Sequence, residues 1–143
     1  MSAAAWEHFA HGADIGVRGR GATREQAFEM CARALTAVVS DPAGVGEGVR
    51  VELAAQATHD DLLLLEFLNA LVYEMAVRHW LCARCEVAIA GAPGGRLTAV
   101  AWGERVDVAR HQPAVEVKGA TLTELAVARD ADGSWRAQCV VDV

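Results

Sequence analysis

Thr58-His59-Asp60-Asp61-Leu62-Leu63-Leu64-Leu65-Glu66-Phe67-Leu68-Asn69-Ala70-Leu71-Val72-Tyr73-Glu74-Met75-Ala76-Val77-Arg78-His79 carries the clearest periodicity in the sequence. Leu64, Phe67, Leu68, Leu71, Val72 and Met75 recur at spacings of three and four, which puts them on one face of a helix. Thr58 or His59 can cap its start. Asp60 and Asp61 fall in the first turn, where the helix dipole favours negative charge, and Arg78 and His79 fall in the last, where it favours positive charge. The two acids could hold a metal, but acids that open a helix are usually explained by the dipole alone.

A second helix precedes it. Thr23 with Gln26 forms a capping box, and Ala27, Phe28, Cys31, Ala34, Leu35 and Val38 make one apolar stripe that ends near Ser40-Asp41-Pro42. The Gly-rich passage Gly44 to Gly48 is a loop, and Val49 to Leu53 alternates as a half-buried strand. Beyond the long helix the chain is β-rich. Glu86 to Ala90 and Leu97 to Trp102 make a hairpin across Gly91-Ala92-Pro93-Gly94-Gly95. Asp107 to Pro113, which contains Arg110-His111, is an irregular polar connection, and Val115 to Gly119 is another strand. Leu125 to Ala128 and Trp135 to Val143 form a last hairpin across Asp130-Ala131-Asp132-Gly133. At the N-terminus, Trp6 to Ala10 and Ile15 to Gly19 read as strands. Two apolar helix stripes among seven or eight strands predict an α+β fold. It is a two-layer sandwich, with the two main helices packed on a mainly antiparallel or mixed β-sheet, in a single domain over residues 1–143.

Composition narrows the function. More than half of the 143 residues are hydrophobic, a globular rather than a disordered composition. The apolar runs fall far short of the roughly 20 residues that a membrane span needs. No Lys or Arg precedes an apolar core at the N-terminus, and Glu7 and His8 interrupt it, so no secretory signal is expected and the setting is cytoplasmic. The net charge is −6; the one lysine is Lys118 and the arginines are scattered singly. That pattern disfavours independent binding of RNA or DNA, which calls for clustered cations. An acidic chain suits a basic protein partner or a divalent cation instead. Cys82-Ala83-Arg84-Cys85 has metal or redox spacing, but strand residues three apart face opposite ways. Cys31, Cys82, Cys85 and Cys139 are therefore expected to be buried free thiols.

Two stretches carry candidate chemistry. His11-Gly12-Ala13-Asp14-Ile15-Gly16 sets one acid among small residues, where it either bonds its own turn or stays reachable as a ligand. Cys139-Val140-Val141-Asp142-Val143 ends an apolar strand in an acid. Asp142, a backbone carbonyl and the carboxylate of Val143 could supply oxygen ligands to a hard cation, with Asp14 completing the set if the two end strands are neighbours. A different reading uses His8, His11, Asp14 and His111 around a transition metal in a hydrolase or phosphoesterase, although no HxxxH or HExxH spacing is present.

The sequence also resembles the archease family along nearly its whole length. His11-Gly-Ala-Asp14-Ile-Gly resembles the family's "HTADIGI". Leu62 to Leu65 continuing into Glu66-Phe67-Leu68-Asn69, then Trp102-Gly103-Glu104, then Arg110-His111, follow in the family's order. Val117-Lys118-Gly-Ala-Thr121 resembles "VKAVTYH", and Trp135 to Val143 resembles the closing "W.A…FDI". The resemblance implies a non-enzymatic protein cofactor of an RtcB-type RNA ligase, which joins a 3′-phosphate or 2′,3′-cyclic phosphate end to a 5′-hydroxyl end. The cofactor promotes guanylylation and multiple turnover of the ligase in tRNA splicing or RNA repair, and meets RNA only through it. The resemblance further implies a divalent ion, calcium, on Asp14, Asp142 and Val143, a partner contact at Lys118, and orienting or partner roles for His11 and His111. Gly12 replaces the family's Thr, and Leu122-Thr123 replaces its Tyr-His, so no histidine stands at that position.

Overall fold

The computed structural model describes residues 4–143. A hairpin of β1 (Ala5–His11) and β2 (Asp14–Gly21) opens the fold and turns through Gly12, whose φ of 59° is left-handed backbone that a side chain disfavours. Helix α1 (Arg24–Val39) follows; the Thr23 hydroxyl accepts from Gln26 N, as the capping box requires. Gln26 reaches back one residue further than the motif predicts, its Oε1 accepting from Ala22 N at 2.9 Å. Strand β3 (Val49–Ala57) leads to α2 (Asp60–Arg78), capped at His59 without a side-chain bond. Its buried side is wider than the predicted stripe, for Leu63 is sealed while Met75 is only half-buried.

Strands β4 (Trp80–Ala90) and β5 (Gly95–Arg105) form the expected hairpin. The polar connection contains a short helix, α3 (Val108–His111). Where the alternation predicts a strand over Val115 to Gly119, the paired residues are Gly119–Ala120, β6. The residues before it form an extended strap, held by Ala114 N on Val39 O at 2.9 Å and by Lys118 N on Asp142 O at 2.8 Å. Strands β7 (Ala126–Arg129) and β8 (Trp135–Asp142) close the chain.

The α+β class is as the sequence implies, with the strands divided between two antiparallel sheets. One runs β1-β2-β8-β6, with β7 also on β8, and the other runs β3-β5-β4. Both helices touch strands of both sheets, so one apolar core serves the whole domain. Phe28 and Phe67, fully buried on the two helices, stack at its centre with ring centroids 6.0 Å apart. Helix α1 lies directly on β2: a Cβ at Gly19 would stand 2.2 Å from Cys31 N and 2.3 Å from Ala27 O. That contact fixes which face of β2 is interior. Val17 and Gly19 face α1, and the alternate residues Asp14, Gly16 and Arg18 face away from it. Among the described residues no helix is long and apolar enough to cross a membrane.

Candidate functional site

The two ends of the sequence meet in the larger sheet. β2 and β8 pair antiparallel from Gly21↔Trp135 to Ile15↔Val141, and the next step of that register sets Asp14 against Asp142. On the other side of β2, His11 stands opposite Asp14 across the Gly12-Ala13 turn. On the other side of β8, Gly119 stands opposite Asp142. His11, Asp14 and Asp142 therefore form one row across three strands, on the face turned away from α1. Asp14 is half-buried and Asp142 is exposed, with Val143 next to it in the chain. Neither carboxylate has a hydrogen bond or an ion pair among the described residues. Several other acids are matched: Glu7 meets Arg18, Asp60 meets Arg24, and Asp130 meets Arg20 and Arg136. Like charges directly opposite on neighbouring strands repel, so the row carries an uncompensated charge that a cation would cancel. Among the described residues no three His, Cys, Asp or Glu side chains are grouped to hold a metal. An ion here would draw on two carboxylates, main-chain oxygens and water, the donor set of a hard cation such as calcium.

The other sequence candidates lie apart from this row. His8 is on the opposite face of the hairpin, where Nε2 meets Ala34 O on α1 at 2.8 Å. His111 is buried in α3, its Nδ1 accepting from Asp107 N at 2.8 Å and its Nε2 against Glu104 Oε1 at 2.8 Å. With both ring nitrogens engaged and the ring enclosed, His111 ties α3 to the second sheet and presents no face to a partner. The set His8, His11, Asp14 and His111 is thus not assembled as a metal site. Glu104 is the hub of that tie. The Gly46 N–H, then Arg110 and His111, hold its carboxyl down at about 2. Asp60 is spent on structure as well: Oδ1 accepts from Gly94 N and from Arg24, both at 2.7 Å, which pins the β4–β5 turn to the starts of both helices. Lys118 is exposed, one residue before β6 and so beside Asp142.

Cys82 and Cys85 correct one geometric expectation. A β-bulge between Cys82 and Arg84 shifts the register, so Cys82 opposes Gly103 and Cys85 opposes Ala101, and both thiols share the buried face. Cys82 Sγ donates to Arg84 O at 3.3 Å, and the neighbouring Cys82 thiol together with burial pushes the Cys85 thiol well up. All four cysteines are free and buried, as expected; burial also raises Cys31 and takes Cys139 to about 11.

Fold and site together define a small α+β domain with an open, unpartnered carboxylate pair on a sheet face, built from opposite ends of the chain. The archease protein family model matches residues 6–143. "Protein archease" of Pyrococcus furiosus is 35% identical over 96% of this chain and 98% of its own length. That of Aeropyrum pernix is 32% identical over the full length of both. The solution structure of Methanobacterium thermoautotrophicum protein 1598 superposes with a TM-score of 0.73 at 25% identity, covering 96% of this chain and 98% of the other. The chain belongs to the archease family.

Proposed function

We propose that this protein is a non-enzymatic, metal-binding activator of an RtcB-type 3′-phosphate/5′-hydroxyl RNA ligase. It promotes the ligase's guanylylation and multiple turnover in tRNA splicing or RNA repair. The observation that carries the reading is the Asp14–Asp142 pair: two acids set opposite each other by the strand register, neither carboxylate with a hydrogen bond or ion pair among the described residues. Asp14, Asp142 and main-chain oxygen of Val143 would hold a divalent ion, calcium by preference for all-oxygen ligands. Bound there, the ion would offset the two negative charges and offer open positions to an oxygen ligand of the partner. His11 borders the pair and orients it, and the exposed Lys118 ammonium supplies a donor to a phosphate or carboxylate of the partner. The protein works in the cytoplasm and meets RNA through the ligase, with no contact to DNA or membrane. An exposed Asp142 and a half-buried Asp14 on an open sheet face suit docking better than catalysis.

The test is a ligase stalled before guanylylation, incubated with GTP and either the wild-type protein or Asp14→Ala. The wild type should restore the ligase–nucleotide adduct and Asp14→Ala should not. Equal restoration by the two removes the pair from the mechanism.

A further inference from the structure

Asp142 follows Val141, the last β8 residue paired with β2, and is paired on its other side with Gly119 of β6, a strand only two residues long. Its inner edge is bonded to β8 through Lys118 N on Asp142 O, Thr121 N on Val140 O and Thr121 Oγ1 on Val140 O at 2.7 Å, and so short a strand also needs a grip on its outer edge. The grip comes from α2. Ala120 N donates to Asn69 Oδ1 at 2.9 Å, and Asn69 Nδ2 reaches back to Ala120 O at 3.5 Å. Among the described residues no other side chain of α2 hydrogen-bonds to β6. Asn69 is exposed, and nothing in core packing calls for an amide there. The clasp also bears on Lys118, whose own N–H donates to Asp142 O at 2.8 Å just before β6 begins.

We infer that Asn69 is a positioning residue for the carboxylate site: by clasping Ala120 it holds β6, and through it Asp142 and Lys118, in register with Asp14. The inference rests on the reading of the Asp14–Asp142 pair as a metal site. Groups that orient metal ligands from outside typically change affinity by about 10–100-fold when removed.

Calcium chloride is titrated calorimetrically into the metal-free full chain as wild type, Asn69→Ala, Asn69→Asp and Val51→Ala. Melting temperatures are taken in chelator alongside. Asn69→Ala, which loses the clasp, should bind calcium about tenfold or more weakly. Asn69→Asp keeps the acceptor for Ala120 N–H and should stay within a few-fold of wild type. Val51→Ala, a core truncation in the other sheet, should melt lower with unchanged affinity. Wild-type affinity in Asn69→Ala overturns the inference, as does weakening in all three variants in step with their melting temperatures. If the wild type takes up no calcium, the metal reading of the pair fails first and the positioning role falls with it.

Discussion

Replacing Asp14 by Asn should make the metal-free protein more stable and abolish its response to calcium. Directly opposed residues on antiparallel strands have Cβ atoms about 5 Å apart, and two unit charges at that distance in water repel by about 0.8 kcal/mol before salt screening. Neither carboxylate has a compensating partner among the described residues, so relieving the repulsion should gain roughly 0.5 kcal/mol at ordinary salt. For a domain of this size, at about 2–4 °C per kcal/mol, that is a rise of roughly 1–2 °C in melting temperature. Calcium at about 100 times its dissociation constant should stabilise the wild type by about 2.7 kcal/mol, or roughly 5–11 °C, and leave the Asn variant unmoved. Scanning calorimetry in chelator and in calcium reads both effects. A variant that melts several degrees below wild type in chelator would show that Asp14 bonds its own turn. One that keeps the full calcium shift would show that the ion sits elsewhere.

Other outcomes follow from the fold. Gly19→Ala forces a Cβ to within 2.3 Å of α1 backbone atoms that cannot swing aside, and should cost about 3 kcal/mol or more, seen as a lower midpoint in urea with unchanged slope. Phe67→Ala, which empties the centre of the shared core, should cost about 3–5 kcal/mol in the same assay. The Glu104 carboxyl is held at about 2, below its ordinary 4.5, so its tie stabilises the fold above the ordinary value and is lost as pH falls from there through about 2. The melting deficit of Glu104→Gln should therefore be full near neutrality and vanish toward pH 2. The four thiols, buried and with Cys31, Cys85 and Cys139 raised, should resist an aromatic disulfide reagent near pH 8 until the protein is unfolded. Rapid reaction of the folded protein would contradict their placement.

Local rules made much of the fold legible. The Thr23 cap, the Pro42 stop, the apolar faces of α1 and α2 and the Gly91–Gly95 turn are each settled within a few residues, and each stands where its chemistry requires. The division into two sheets was not legible, because alternation says which residues are buried and not which strand lies beside which. The bulge after Cys82 escaped for a related reason. One extra residue reverses the facing of Cys85 beyond it, and no side chain at Ala83 announces it. At the candidate site, Asp14 and Asp142 were visible as acids in apolar settings, and the β2–β8 register supplies the juxtaposition that the sequence could only raise as a condition. His111 misled because a histidine beside an arginine in a polar loop looks accessible, whereas Glu104 and the Asp107 N–H enclose it. Asn69 offered no signal as a positioning residue, since a polar side chain on an exposed helix face is the ordinary case.

The most direct measurement is a crystal structure of the protein grown in calcium. A metal site shared by the two ends of the chain requires an ion with oxygens of both Asp14 and Asp142 at about 2.3–2.6 Å, and main-chain oxygen or water completing the shell. An ion bound away from the pair, or imidazole nitrogen in its coordination sphere, would contradict it.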